Sequence, residues 1–257
     1  MTNIEKYYNK FNEDHRLTTR HGIVEMSCTM HHIEKLINGR TGLEIADIGC
    51  GTGRYSIELC HKGHNLTAVE LVKRNLEVLR SKHEKIKTWQ GNALDLHFLE
   101  ENRFDITLCF GPMYHLHTEE ERLCVLEQLK RITKPGGIIF IAYIMNENAI
   151  IRYCFGENKI NECIKNGWLT EDFHTITQPE DLYSYVRLED INEIQKKSGL
   201  ERVAIFNQEG AADYMRRELN AMDEESFKKF VEYTIKISDR SELLGAGTHV
   251  VDVLEVR

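Results

Sequence analysis

The chain has 257 residues, with 33 lysines and arginines against 41 aspartates and glutamates, so its formal net charge is −8. This length, with 41% hydrophobic residues, can bury the core of one large domain or of a smaller domain with an appendage. The longest apolar run is far shorter than the roughly 18 residues of a membrane helix, so we expect no membrane span. The acidic balance disfavours a long nucleic acid as partner, because phosphate binding usually requires a basic face.

The amino terminus shows neither a basic leader nor an apolar segment, so we expect no secretory signal and predict a cytoplasmic protein. The seven cysteines are odd in number and form no Cys-x-x-Cys pair. That pattern is typical of reduced thiols packed as small hydrophobic residues, and it favours neither a disulfide framework nor a zinc site.

The predicted elements begin with helices. Apolar residues three or four positions apart predict a helix from Gly22 to Asn38, and an earlier helix is predicted through Tyr7, Tyr8 and Phe11. From residue 43 onward, short apolar runs alternate with helical patterns. Strands are predicted at 43–48, 66–69, 86–89, 106–110 and 138–144, with helices at 54–62 and 73–83.

A further helix is predicted between the last two of these strands. It begins at a capping box, Thr118 with Glu121, and is stopped by the segment Lys134-Pro135-Gly136-Gly137. Strands that alternate with helices indicate a parallel sheet with right-handed crossovers. The predicted fold class is therefore α/β, a doubly wound Rossmann-like sheet.

The first strand runs into a glycine-rich turn with the pattern D-x-G-x-G-x-G, formed by Asp47, Gly49, Gly51 and Gly53. Glycine permits positive φ angles and a close approach of backbone to ligand. A dinucleotide-binding turn would carry its third glycine at position 54 or 56, where this chain has other residues. The turn therefore does not fit a pyrophosphate site.

Two carboxylates accompany this turn. Asp47 would repel a pyrophosphate but can accept a hydrogen bond from an ammonium group, and Glu70, at the end of the second strand, is placed to accept hydrogen bonds from ribose hydroxyls. The ligand indicated has a ribose and an amino acid head but no phosphate. S-adenosylmethionine, converted to S-adenosylhomocysteine, meets this description.

Over residues 40–145 the sequence resembles the class I S-adenosylmethionine-dependent methyltransferases. The resemblance implies a seven-stranded sheet with an antiparallel seventh strand. It places Asp47 and the three glycines at the methionine moiety, Glu70 at the ribose, Leu71 against the adenine and Asn92 at the adenine edge. The predicted cofactor contacts also include Cys50, Ala93 and Phe110.

The segment after the fourth strand, residues 110–116, resembles the G-P-x-Y-H-L segment of one group of these enzymes. Gly111 stands where methyltransferases of base amino groups often carry asparagine, which disfavours base N-methylation. His115 is the predicted general base, with Tyr114 as an orienting group and Tyr143 as a further catalytic candidate. The alternative is that His115 caps the next helix or hydrogen-bonds to backbone near the cofactor.

The remaining residues are predicted to cap the site. We expect a helical lid at 1–39, the core at 40–145, a cap insertion at 146–186, and the rest of the core at 187–257 with a second helical insertion at 211–243. In this scheme Arg20 meets the carboxylate of the cofactor and Tyr8 closes over it. Further pocket candidates are His174, Tyr214, Arg217 and His249.

The sequence thus predicts a methyltransferase that acts on a small-molecule acceptor, with no metal ion. Two alternatives remain open at this point: a tRNA or protein methyltransferase, and a regulatory protein that binds the cofactor without catalysis. The acceptor atom and the oligomeric state are not predicted.

Overall fold

The structure, a computed structural model, describes residues 3–8 and 13–257, so Phe11 of the predicted first helix lies outside the described residues. A seven-stranded sheet forms the centre of the fold, in the order β3-β2-β1-β4-β5-β7-β6. The strands are β1 Glu44–Ile48, β2 Asn65–Glu70, β3 Ile86–Gln90, β4 Phe104–Cys109, β5 Thr133–Ile144, β6 Glu201–Asn207 and β7 His249–Glu255. β1 to β5 pair in parallel, whereas β7 is antiparallel to both β5 and β6. The predicted α/β class and the antiparallel seventh strand are confirmed.

Helices cover both faces of this sheet. They are α1 Asn3–Tyr8, α2 Glu13–Arg16, α3 Arg20–Ile37, α4 Arg54–His61, α5 Lys73–Ser81, α6 Glu119–Ile132, α7 Asn146–Asn148, α8 Ile160–Lys165, α9 Leu188–Ser198, α10 Arg216–Ala221 and α11 Glu224–Ile237, with short 3-10 turns at Pro112–His115 and Ser241–Ala246 and a π-helical segment at Ala149–Phe155. None of the helices in the described part of the chain has both the length and the apolarity required to cross a bilayer.

The α6–β5 junction differs from the prediction. The capping box of Thr118 and Glu121 is present, and the fourteen-residue helix ends at Ile132, before the predicted stop. β5 then begins at Thr133, five residues earlier than expected, because Gly136 turns at a φ of 74° and its N–H bonds to the Val256 carbonyl at 2.6 Å. The Pro-Gly-Gly segment is thus a bulge within β5, where the register against β4 shifts, and hydrogen bonds of Gly136 and Gly137 with Val256 hold it in place.

Two apolar clusters pack on the two sides of the sheet, and their residues alternate along β5. One contains Tyr143 and Ile141, with residues of α6 and α9. The other contains Ala142 and Ile144, with residues of α3 and α4. This alternation decides which side chains of β5 can reach the site described next, since neighbouring residues in a strand point to opposite faces.

Candidate active site

A cavity of about 890 Å³ lies beyond the carboxyl ends of β1, β2 and β4, at the edge where open α/β sheets bind ligands. Its volume is at the upper end of the range for ligand sites, with room for a nucleoside cofactor and a small second molecule. All three predicted cap segments contribute to its wall. They supply Tyr8, Arg16 and Glu25 from the amino-terminal segment, Asn148, Arg152, Tyr183 and Tyr185 from the first insertion, and Asp213 and Arg216 from the second.

The glycine-rich turn forms one wall of the cavity. Gly49, Gly51 and Gly53 all have positive φ, at 76°, 56° and 82°. A Cβ on Gly49 would lie 2.6 Å from Cδ of Pro112, so only glycine allows the turn to pack directly against the segment after β4. Gly49 and Gly51 line the cavity, whereas Gly53 packs behind it against Leu79 and begins α4.

Asp47 is buried beneath this turn, and its side chain lines the cavity. Its Oδ2 accepts a hydrogen bond of 2.5 Å from the Ser56 hydroxyl. Burial raises the pKa of Asp47 to about 6, although the bonds from Ser56 lower it. No cation in the described residues forms an ion pair with this carboxylate, so a ligand ammonium would supply the missing counter-charge.

Glu70 is also buried at the cavity wall, and both of its carboxylate oxygens are held by backbone. Oε2 accepts from the N–H of Gly51 at 2.8 Å, and Oε1 accepts from the N–H of Val72 at 2.7 Å. The side chain therefore fixes the glycine turn to the end of β2.

The other predicted cofactor residues line the same wall: Cys50, Leu71, Asn92, Ala93 and Phe110. The Asn92 side chain is exposed, and its Oδ1 accepts a hydrogen bond from the N–H of Leu94 at 3.1 Å. That bond holds the short turn after β3, and it leaves the side-chain amide group for a ligand. The roles of all these residues toward the cofactor remain predictions.

His115 lines the cavity with both ring nitrogens engaged. Its Nδ1 lies 2.8 Å from the carbonyl of Leu182 and its Nε2 lies 3.1 Å from the Tyr8 hydroxyl. Since the carbonyl can only accept, Nδ1 donates and Nε2 accepts from Tyr8. Burial lowers the pKa of His115, against a smaller raising effect of the Leu182 carbonyl. The geometry matches the alternative of a backbone-bonded histidine, and it connects α1 with the first insertion.

Tyr114 and Tyr8 are both at the cavity, as predicted. The Tyr114 hydroxyl donates to the carbonyl of Phe110, which fixes the ring across the segment after β4. The Tyr8 ring meets the ring of His115 edge-on, with centroids 5.6 Å apart. The amino-terminal segment is thereby attached to the segment that follows β4.

Besides Gly53, two predicted site residues lie outside the cavity wall. Tyr143 is only 2% exposed and packs in the apolar cluster on the α6 side of the sheet, so the prediction of a catalytic role is wrong. Its neighbour Ile144 lines the cavity, because adjacent residues of β5 point to opposite faces. Arg20 also fails to reach the cofactor wall: its guanidinium donates to the carbonyls of Leu219 and Met222 at 2.7 and 2.6 Å.

Arg20 instead attaches α3 to the second insertion, where it also pairs with Glu224 and lies over the Phe227 ring. Of the further pocket candidates, His249 lines the cavity, whereas His174 pairs with Asp190 at 3.3 Å, Arg217 is exposed and Tyr214 lies outside the wall. In the amino-terminal segment the arginine that lines the cavity is Arg16, which pairs with Glu25 at 2.7 Å.

Sequence reasoning missed the acids at the cap end of the cavity. Glu25, Glu209 and Asp213 are all buried there, and the ligand atoms of Glu25, Glu209 and His249 lie within 4.8 Å of one another. Such a trio could in principle hold a metal ion. Here, however, Glu25 is paired with Arg16, and Glu209 already accepts hydrogen bonds from three N–H groups. Protein donors therefore satisfy both carboxylates in the absence of a metal ion.

Comparison with known proteins identifies the domain. Residues 45–137 match the family described as methyltransferase domain. The chain is 22% identical over 174 residues to the ubiquinone biosynthesis O-methyltransferase of Actinobacillus pleuropneumoniae, a match covering 63% of this chain and 71% of that protein. It is 26% identical over 214 residues to the protein of the same name from Rickettsia typhi, covering 78% of this chain and 79% of the relative.

A solved structure from Thermotoga maritima shares the fold. It is a SAM-dependent methyltransferase, described as a possible histamine N-methyltransferase, with a TM-score of 0.58, 18% identity and coverage of 99% of this chain and 98% of that one. The domain match and the relatives agree that the chain is a methyltransferase, and its Rossmann-like sheet with an antiparallel seventh strand has the fold of this S-adenosylmethionine-dependent enzyme.

Proposed function

We propose that the protein transfers a methyl group from S-adenosylmethionine to a hydroxyl group of a small aromatic molecule. The observation that carries the proposal is the composition of the cavity wall. The wall combines the glycine turn, Asp47 and Glu70 with a set of aromatic rings, and we call the part of the cavity that these rings line the chamber. These rings are Tyr7, Tyr8, Tyr55, Phe110, Tyr114, Tyr183 and Tyr185. The names of the two relatives support oxygen as the acceptor atom.

The cofactor wall fits S-adenosylmethionine by its chemistry. Asp47 would accept the ammonium group, Glu70 the ribose hydroxyls, and Leu71, Asn92 and Ala93 would border the adenine, beside the turn of Gly49, Cys50 and Gly51. When bound, the cofactor supplies an electrophilic methyl group on a cationic sulfur. A buried carboxylate with a raised pKa suits a ligand that brings its own positive charge.

The chain's own residues then orient the acceptor and exclude water. The Tyr8–His115 bond fastens α1 over the chamber, and the stacked rings of His115 and Tyr183, 5.3 Å apart, bring in the first insertion. An enclosed chamber holds the acceptor close to the methyl group, and such positioning supplies much of the rate in a bimolecular displacement.

Charge at the cavity supports a small molecule over tRNA. Four arginines line the wall, and three of them are paired with acids: Arg16 with Glu25, and both Arg152 and Arg216 with Asp213; the fourth is Arg54. Binding of a polynucleotide requires several cations available to phosphate. A wall with mostly paired charges and many aromatic rings suits a small, largely uncharged acceptor.

Calorimetry with S-adenosylhomocysteine and with NAD tests the cofactor half of the proposal. We expect binding of S-adenosylhomocysteine in the micromolar range, lost in Glu70→Ala and kept in the matched control Glu77→Ala on the exposed face of α5. Tight binding of NAD with no heat from S-adenosylhomocysteine would contradict it. Transfer of labelled methyl to phenols tests the acceptor half.

A further inference from the structure

Glu209 and His249 form a carboxylate–imidazole pair at the cap end of the cavity. Glu209 follows β6, and His249 is the first residue of β7. The Glu209 side chain is 3% exposed, and its Oε1 accepts the backbone N–H groups of Thr248 and His249, both at 2.7 Å. Its Oε2 lies 3.1 Å from Nδ1 of His249. Three donors therefore fix this carboxylate in one orientation.

The pair determines which nitrogen of His249 a ligand can meet. A carboxylate held by N–H donors accepts from Nδ1, so in the neutral ring the proton is on Nδ1 and the lone pair on Nε2. His249 lines the cavity with 16% of its side chain exposed, and within residues 3–8 and 13–257 its Nε2 has no hydrogen-bond partner. The Nε2 edge is thus available to a molecule in the chamber.

His249 also lies near the place where methyl transfer is expected. Its ring centroid is 5.9 Å from that of Tyr114, the aromatic residue of the segment after β4. Its backbone pairs with Ile144, which lines the cavity at the end of β5. An acceptor between the cofactor wall and the caps would therefore contact His249 and Tyr114 together.

The surroundings stabilise a positive charge on this imidazole. Burial lowers the pKa of His249, but the carboxylates of Glu209 and Glu25 outweigh it and raise the pKa above its ordinary value, while Arg16 acts in the opposite direction. A histidine base must carry a proton after it acts, and a neighbouring carboxylate stabilises that imidazolium. The two acids are therefore arranged for a base that gains a proton.

A second polar group, influenced by the same acids, is not fully hydrogen-bonded within the protein. The hydroxyl of Tyr55 is buried, and the Thr29 side chain near it does not reach hydrogen-bond geometry; Tyr55 is 6% exposed and lines the cavity. The charges of Glu25 and Glu209 act on this hydroxyl. An unsatisfied buried hydroxyl costs stability, so its presence points to a ligand that satisfies it.

We propose that His249, oriented by Glu209, is the general base that takes the proton of the acceptor hydroxyl, with Tyr55 as a hydrogen-bonding group for the bound acceptor. This inference rests on the proposed function. The acceptor O–H bond breaks and its proton moves to Nε2. The oxygen electron pair forms the bond to the methyl carbon, and the carbon–sulfur bond breaks with its electron pair going to sulfur. His249 then returns the proton to solvent.

His115 is not available for this role. Its Nδ1 donates to the Leu182 carbonyl and its Nε2 accepts from Tyr8, whereas in His249 only Nδ1 is engaged. His115 is a positioning residue that holds the amino-terminal segment.

The test compares acceptors that need a base with acceptors that do not. Catechol keeps its proton at neutral pH, whereas 4-nitrocatechol is largely ionised. We expect His249→Gln to slow methylation of catechol by about 10²-fold or more and to leave methylation of 4-nitrocatechol within a few-fold of wild type. His174→Gln, whose histidine lies outside the cavity, is the matched control and should methylate both like wild type.

If His249→Gln slows methylation of both acceptors equally, or slows methylation of neither, the assignment of His249 as the base is wrong while the methyltransferase proposal stands. Binding of S-adenosylhomocysteine without methylation of either catechol would overturn the hydroxyl acceptor and the base together, and absence of binding would refute the cofactor site itself. A second measurement needs no acceptor: NMR titration of His249 in the complex with S-adenosylhomocysteine. Glu209→Gln should lower the pKa of His249, and an unchanged titration would overturn the role of Glu209.

Discussion

Asp47→Asn should separate cofactor binding from stability. Asp47 is buried, and in the folded protein its pKa is about 6 against an ordinary value of 3.8. This gap corresponds to about 3 kcal/mol by which the ionised carboxylate destabilises the unliganded fold. Asparagine keeps an oxygen to accept the Ser56 hydrogen bond but carries no charge, so it removes that destabilisation.

The pH dependence gives the sign of the effect. Because the pKa is raised in the folded state, the destabilisation is absent well below 3.8, where both states are protonated, and nearly complete above about 6. We therefore expect the free energy of unfolding of Asp47→Asn, relative to wild type, to increase by about 2–3 kcal/mol between pH about 4 and pH about 8. Denaturant unfolding of both proteins without cofactor measures this difference.

Adding S-adenosylhomocysteine should reverse the order of stability at pH about 8. Wild type gains stability by mass action, whereas the variant has lost the acceptor for the ligand ammonium and gains little. Ser81→Ala, on the exposed end of α5, is the control and should shift neither measurement. A stability difference between Asp47→Asn and wild type that stays constant with pH would refute the assignment of a destabilising buried charge at this position.

Three further predictions follow from the geometry. Gly49→Ala should lower the free energy of unfolding by about 1–3 kcal/mol and weaken binding of S-adenosylhomocysteine, because the residue has a φ of 76° and a Cβ there would meet Pro112. Chemical denaturation measures the stability and calorimetry the affinity. An unchanged affinity would contradict the close packing of the turn against Pro112. Tyr8→Phe should raise KM for catechol more than it lowers kcat, because it removes the hydrogen bond to His115 that fastens α1 over the chamber. A loss in kcat alone would argue against a role of Tyr8 in closing the chamber. The rate of catechol methylation should rise with pH through a pKa above the ordinary value of histidine, because Glu209 and Glu25 raise the pKa of His249 more than Arg16 lowers it. The pH–rate profile of Glu209→Gln should shift toward lower pH. Identical profiles for the variant and wild type would contradict this coupling.

Local sequence signals predicted the glycine turn and its flanking elements well. The glycine turn needs positive φ at three positions within five residues, and both the strand before it and the helix after it carry their own hydrophobic patterns. The capping box of Thr118 and Glu121 is equally local, and the structure contains it. Where a role depends on a few consecutive residues, the sequence is sufficient.

Roles that depend on tertiary packing were predicted less well. Tyr143 and Ile144 differ by one position in a buried strand, and the hydrophobic pattern of β5 does not show which face meets the cavity. Arg16 and Arg20 are one helical turn apart in sequence, and only the docking of the second insertion decides which one reaches the site. Glu25 and His249 are 224 positions apart, so no spacing rule could bring them together.

Methyl transfer itself tests most directly whether this protein methylates a small molecule. Wild-type protein is incubated with methyl-labelled S-adenosylmethionine and three potential acceptors in parallel: catechol, bulk tRNA and a mixed protein fraction. We expect label in methylated catechol, with an equal amount of S-adenosylhomocysteine formed, and none above background in the macromolecules. Label in tRNA or protein with none in catechol would contradict it.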